Sequence, residues 1–157
     1  IGMSKDIINQ INKNKNKIVF GGTFSANSFS VYAGLKVLNF IKKYNNFYEK
    51  LEYKSLKFQS GINNFVLKNN IDAWVYRFDT MSRLVFSKKK IQNRMQRDFL
   101  EKNKNKKIEN FKKYFFNNNI YYPPSGIIFF SLASSQKNID KIIKIFRIGL
   151  LKYFSRN

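Results

Sequence analysis

Apolar residues recur at helical spacing along most of the chain. In "SFSVYAGLKVLNFIKKY", Val31, Leu35, Leu38 and Ile41 fall three and four apart behind Asn27 or Ser28 as a cap, which predicts a helix over 28–43. Ser4 can cap a shorter helix through Ile7, Ile8 and Ile11, which gives way to the hydrated "NKNKNK" of 12–17 and a short apolar "IVF" at 18–20. After Asn45-Asn46, the apolar positions Phe47, Leu51, Leu56, Ile62, Phe65 and Val66 predict helix to about Leu67, with Gly61 a weak point and Asn69-Asn70 the end. The pattern then changes. "IDAWVYRF" (71–78) and "MSRLVFS" (81–87) are rich in β-branched and aromatic residues and predict two strands, a hairpin across Asp79-Thr80. The charged, Asn-rich stretch 88–107 reads as a loop with a partly ordered helix. "KIENFKKYFFNNN" (107–119) predicts a helix with Ile108, Phe111, Tyr114 and Phe115 on one side. "IYYPPSGIIFFSLA" predicts an extended piece, a Pro-Pro break and a buried strand at about 127–131. Ser135 can cap a last amphipathic helix carrying Ile139, Ile142, Ile143, Phe146, Leu150 and Leu151. The order describes an α+β module.

The length of 157 residues suits one domain, and the start at Ile1, with no secretory leader, reads as the cut edge of something longer. No apolar run approaches the roughly 20 residues of a membrane-spanning helix, so no membrane partner is expected and a cytoplasmic location is. The chain has no Cys and no His, which excludes disulfides, thiolate nucleophiles, zinc-thiolate clusters and an imidazole base. Any chemistry must use Lys, Tyr, Ser, Thr, a carboxylate or a borrowed cofactor. The net charge of +21 raises nucleic acid as a partner. Yet the charge is spread along the chain, and only six of the 30 cationic residues are Arg, whose planar fork suits phosphate and base edges better than Lys does. Lys here travels with Asn, Ile, Phe and Tyr, the residue set of an AT-rich coding sequence. A basic solvated surface explains the charge, and a nucleic-acid-binding module stays as the alternative reading.

"GGTFSAN" at 21–27 stands out for its small and hydroxyl residues. Adjacent Gly residues and a Thr just ahead of a helix place exposed backbone N–H groups and a hydroxyl where a phosphate could accept hydrogen bonds. An ordinary loop would look the same, and neither a Walker loop nor a GxGxxG fingerprint is present.

"GGTFSANSFSVYAGLKVL" resembles the Gly-Thr-small-small-Asn-Pro … Ala-Gly-Leu segment of class III, fold-type I pyridoxal-phosphate enzymes, above all the glutamate-1-semialdehyde aminomutases. "NNNIYYPPSGIIFFSLASSQKNIDKII" (117–143) is similar to the ending of that branch. The resemblance implies the end of a large cofactor-binding domain over 1–44 and a C-terminal small domain over 45–157. It implies that Gly22 and Thr23 bind the phosphate of pyridoxal 5'-phosphate across a homodimer. It implies movement of an amino group of a small-molecule substrate through a lysine-bound aldimine, the lysine lying upstream of Ile1, so that no catalytic residue is assigned within this chain. A non-catalytic remnant of such an enzyme is the further alternative.

The chain departs from the family at three places. Asn27-Ser28 replaces Asn-Pro, which frees φ at the helix start but leaves a capping pair. Asn119 stands where the family has Gly, and Asn tolerates the left-handed region. Phe129, in "IIFF", occupies the position of the Arg with which class III ω-aminotransferases clamp a substrate carboxylate, in agreement with the aminomutase-like branch. Arg83, in "MSRLVF", is the candidate for a substitute cation at the substrate.

Overall fold

Hydrogen bonds accepted by the chain's own polar side chains start four of the six α-helices among the described residues. In the computed structural model, which describes residues 4–13, 22, 24–25 and 27–155, α1 spans Lys5–Lys13, α2 Ser28–Lys43, α3 Phe47–Lys68, α4 Arg94–Glu101, α5 Asn105–Asn117 and α6 Gln136–Phe154. Ser4, Asn27, Asn93 and Ser135 accept backbone N–H groups of the first turns of α1, α2, α4 and α6. Two compact units result, Ile1–Asn45 and Asn46–Asn157. The "IVF" piece at 18–20 lies outside the described residues.

The first unit carries α1 and α2. Neither helix buries a side chain, and α2 exposes apolar residues all round, from Phe29 and Val31 to Leu38 and Phe40.

In the second unit β1 (Trp74–Phe78), β2 (Met81–Val85) and β3 (Ile127–Phe129) form an antiparallel sheet of order β1-β2-β3. Val75 and Leu84 are paired and buried on the face that meets α3, and on the same face the Ser82 and Ser55 hydroxyls lie 2.8 Å apart. The core is aromatic. Phe58, Phe111, Phe115 and Phe146 are fully buried, with the Phe58 and Phe146 rings edge to face at 4.9 Å between centroids.

The hairpin and the helices at 28–43 and after Ser135 form as the sequence predicts. Three expectations change. Gly61 does not weaken α3, which runs unbroken; a Cβ there would lie 3.1 Å from Ile143 Cδ1, so Gly61 packs tightly against α6. The stretch 88–107 holds all of α4, a 3₁₀ turn at Lys102–Lys104 and the start of α5. Ion pairs Arg94–Asp98 and Arg97–Glu101, four residues apart, stabilise α4 in place of an apolar stripe. Finally β3 ends at Phe129, which is 64% exposed, and the chain then turns Phe130 into the core against Phe58.

Candidate functional site

Gly22 is exposed and opens a pair of tight turns. Its carbonyl accepts the Ser25 N–H at 2.8 Å, the Phe24 carbonyl accepts the Asn27 N–H at 3.3 Å, and Asn27 Oδ1 then accepts the Ser30 N–H at 3.1 Å to start α2. A Cβ on Gly22 would come within 3.4 Å of Ser25 Oγ, so the bare glycine leaves a small open space at the turn. Thr23, with Gly21 and Ala26, lies outside the described residues.

Arg83 belongs to the second unit and is placed by β2, where it pairs with Ile127 across to β3. It shares a sheet face with Met81 and Phe129, which pair two positions along. Its guanidinium enters a cleft of about 350 Å³ between the sheet, α4, α5 and the Pro-Pro segment. Gly126 walls the cleft closely: its φ is +71°, a conformation suited to glycine, and a Cβ on it would sit 3.8 Å from both Cζ and Nη2 of Arg83 and 3.3 Å from the Tyr122 hydroxyl.

The polar groups of the cleft are unequally served. Arg97 holds Asp98 through both Nε and Nη2, and Arg94 adds a contact at 3.4 Å. Glu101 accepts the Phe86 N–H at 3.0 Å and faces Arg97 at 3.9 Å. The Arg83 side chain makes no hydrogen bond or ion pair with the described residues, and its Nε is buried without a partner. Burial holds the Arg83 guanidinium below its ordinary range, with Arg97 acting in the same direction, while Glu101, Tyr122 and Asp98 oppose them. The hydrogen bond from Arg97 holds the Asp98 carboxyl below its ordinary value. Burial pushes the Tyr122 hydroxyl up; the Arg83 charge pulls it down and Glu101 adds to the rise. The hydroxyl donates a long hydrogen bond, 3.5 Å, to the Gly126 carbonyl.

Sequence reading singles out Arg83 but misses Tyr122, Gly126 and Glu101 beside it. "YYPPSG" carries two of these as a string, with no sign of which Tyr turns inward: Tyr122 is 8% exposed and Tyr121 78%.

The fold is that of aminotransferases. The chain superposes over 95% of its length on an omega-transaminase from Sphaerobacter thermophilus with a TM-score of 0.71 at 14% identity, covering 34% of that chain. It superposes over 99% on a beta-phenylalanine aminotransferase from Variovorax paradoxus with the same TM-score at 17% identity, covering 36% of it. In sequence, it is 29% identical over 130 residues to the glutamate-1-semialdehyde 2,1-aminomutase of Thermosipho africanus and 30% identical over 131 residues to that of Clostridium botulinum. Each match takes in 80% of this chain, which spans 29% and 30% of those two relatives. No family model matches the chain. In sequence and fold together, the chain is class III aminotransferase-like, as the two sequence signatures imply.

Proposed function

We propose that the chain is the C-terminal part of an enzyme that moves an amino group with pyridoxal 5'-phosphate, as an aminotransferase or a glutamate-1-semialdehyde aminomutase-like isomerase. In this reading residues 1–44 close a large cofactor-binding domain, residues 45–157 form the small domain, and the working protein is a homodimer. What supports it most is similarity to aminomutases along 80% of the chain, with both signature segments inside a fold that matches aminotransferases.

The residues present fit the cofactor's phosphate. Gly22 has no side chain, is exposed, and leads through two turns into a capped helix N-terminus, so backbone N–H groups can approach an anion there, and the Thr23 hydroxyl adds a donor. Pyridoxal phosphate, when bound, supplies the electron sink for amino-group chemistry. The contribution assigned to this chain is to hold and orient the phosphate end. The covalent lysine is assigned to the sequence ahead of Ile1.

Expression of the complete gene tests the proposal. A purified dimer with visible absorbance from bound pyridoxal phosphate is the expected result, and a colourless protein that takes up none on addition would sink it.

A further inference from the structure

We infer that the Arg83 cleft is a binding site for a small carboxylate with a short apolar tail, built entirely within residues 46–157. The inference goes beyond the amino-group chemistry proposed above and does not depend on the cofactor.

Arg83 is half-buried with its Nε fully buried, and a cation partly removed from water is stabilised by a paired anion. The two carboxylates that line the cleft are already engaged, Asp98 by Arg97 and Arg94, and Glu101 by the Phe86 N–H and Arg97. The Arg83 guanidinium is left without a hydrogen-bonded anion, and its buried Nε without an acceptor. Lys102 and Lys112 also line the cleft, and Lys112 reaches the Pro124 carbonyl at 3.3 Å. An anion entering would therefore meet three cations and two carboxylates that already have other partners.

The shape selects among anions. The two terminal nitrogens of Arg present a planar fork that a carboxylate meets with two parallel hydrogen bonds. Gly126 leaves room beside Nη2, and the buried Tyr122 hydroxyl stands within reach of the same space. Leu84, Phe86 and Ile108 line the remaining wall, which suits a hydrocarbon tail and gives nothing to inorganic phosphate.

A second half-buried arginine with a buried Nε supplies an internal control. Arg77 Nε is also buried without a partner, but its Nη1 is held by Glu52 at 3.1 Å and by the Asp79 carbonyl at 2.7 Å, so its charge is already matched. The test is to titrate the ¹⁵N-labelled 157-residue chain with propionate, inorganic phosphate or chloride at constant ionic strength. The Nε–Hε resonances of Arg83 and Arg77 are followed with the backbone amides of Tyr122 and Gly126. We expect a saturable shift of the Arg83 resonance with propionate, tighter than with phosphate, while Arg77 stays in place. In Arg83→Gln the Tyr122 and Gly126 amides should no longer respond. A non-saturating shift, equal movement of Arg77, or the same response to chloride would overturn the site. Tighter binding of phosphate than of propionate would overturn its assignment to a carboxylate. The wild-type titration decides even if the variant does not fold, and none of these results bears on cofactor uptake by the complete enzyme.

Discussion

Asn63 of α3 serves Val75 of β1 as a neighbouring strand would. Its Nδ2 donates to the Val75 carbonyl at 3.0 Å, and the Val75 N–H donates to its Oδ1 at 2.8 Å. Among the described residues β1 is an edge strand, so this side chain closes backbone groups that no described strand pairs with. Gln59 Nε2 also donates to the same carbonyl, at 3.1 Å. In Asn63→Leu the carbonyl therefore keeps one donor and the buried N–H loses its acceptor. The expected loss of stability is about 1 to 3 kcal/mol by chemical denaturation, with faster hydrogen exchange at the Val75 amide. Unchanged exchange there would show that the edge is closed by something else.

Two helical glycines should respond to Ala with opposite signs. A Cβ on Gly149 would lie 3.0 Å from Phe111 Cε2 and from two ring carbons of Tyr114, rigid groups at the α5–α6 contact. The strain, about 1 to 3 kcal/mol, outweighs the gain of roughly 1 kcal/mol in helix propensity. Gly34 in α2 has nothing within 4 Å of the same position, so Gly34→Ala should stabilise its helix by about 0.5 to 1 kcal/mol. Thermal melts of each variant check the Gly149 loss, and helical circular dichroism checks the Gly34 gain.

Tyr122 makes stability depend on alkaline pH. Its folded-state pKa is raised, mainly by burial, above the ordinary value of 10.0, so the neutral hydroxyl is favoured in the folded chain. The contribution is fully present below pH about 10 and is lost as pH rises above that, where the unfolded chain ionises first. Tyr122→Phe should flatten the fall in denaturation midpoint across that range. An unchanged slope would assign the alkaline loss to other groups.

Thr23→Val, made in the complete enzyme, should weaken retention of pyridoxal phosphate by roughly 1.5 to 3 kcal/mol, or about 10- to 150-fold in affinity, through loss of the one hydrogen bond to a charged phosphate proposed for it. Equilibrium dialysis against free cofactor measures it. Unchanged affinity with an intact fold would remove Thr23 from the phosphate site.

Much of this architecture is legible in the sequence because it is local. The cap, the period and the end of α2 and α6 lie within one stretch each, and so do the two strands of the hairpin. What escapes depends on partners far along the chain. Ser55 and Asn63 look like solvent-facing positions of a helix and are buried because Ser82 and Val75 meet them. Leu56, one of the apolar positions from which α3 is predicted, is 45% exposed, whereas Phe58, four residues before Ile62, is fully buried. The same holds for the Arg83 cleft. Arg83 is conspicuous as an Arg inside a strand, but its isolation is decided by Arg94 and Arg97 taking the nearby carboxylates, which a one-dimensional pattern does not record.

Among the described residues, five have positive φ, and only Gly126 of these is glycine. The others are Asn46, Asn70, Asp79 and Asn119, standing at the start of α3, after its end, in the hairpin and after α5. A short side chain able to bond its own backbone makes the left-handed region accessible to Asn and Asp. The chain can thus be poor in glycine without being poor in sharp reversals. A reader who located its turns by glycine alone would miss four of these five corners.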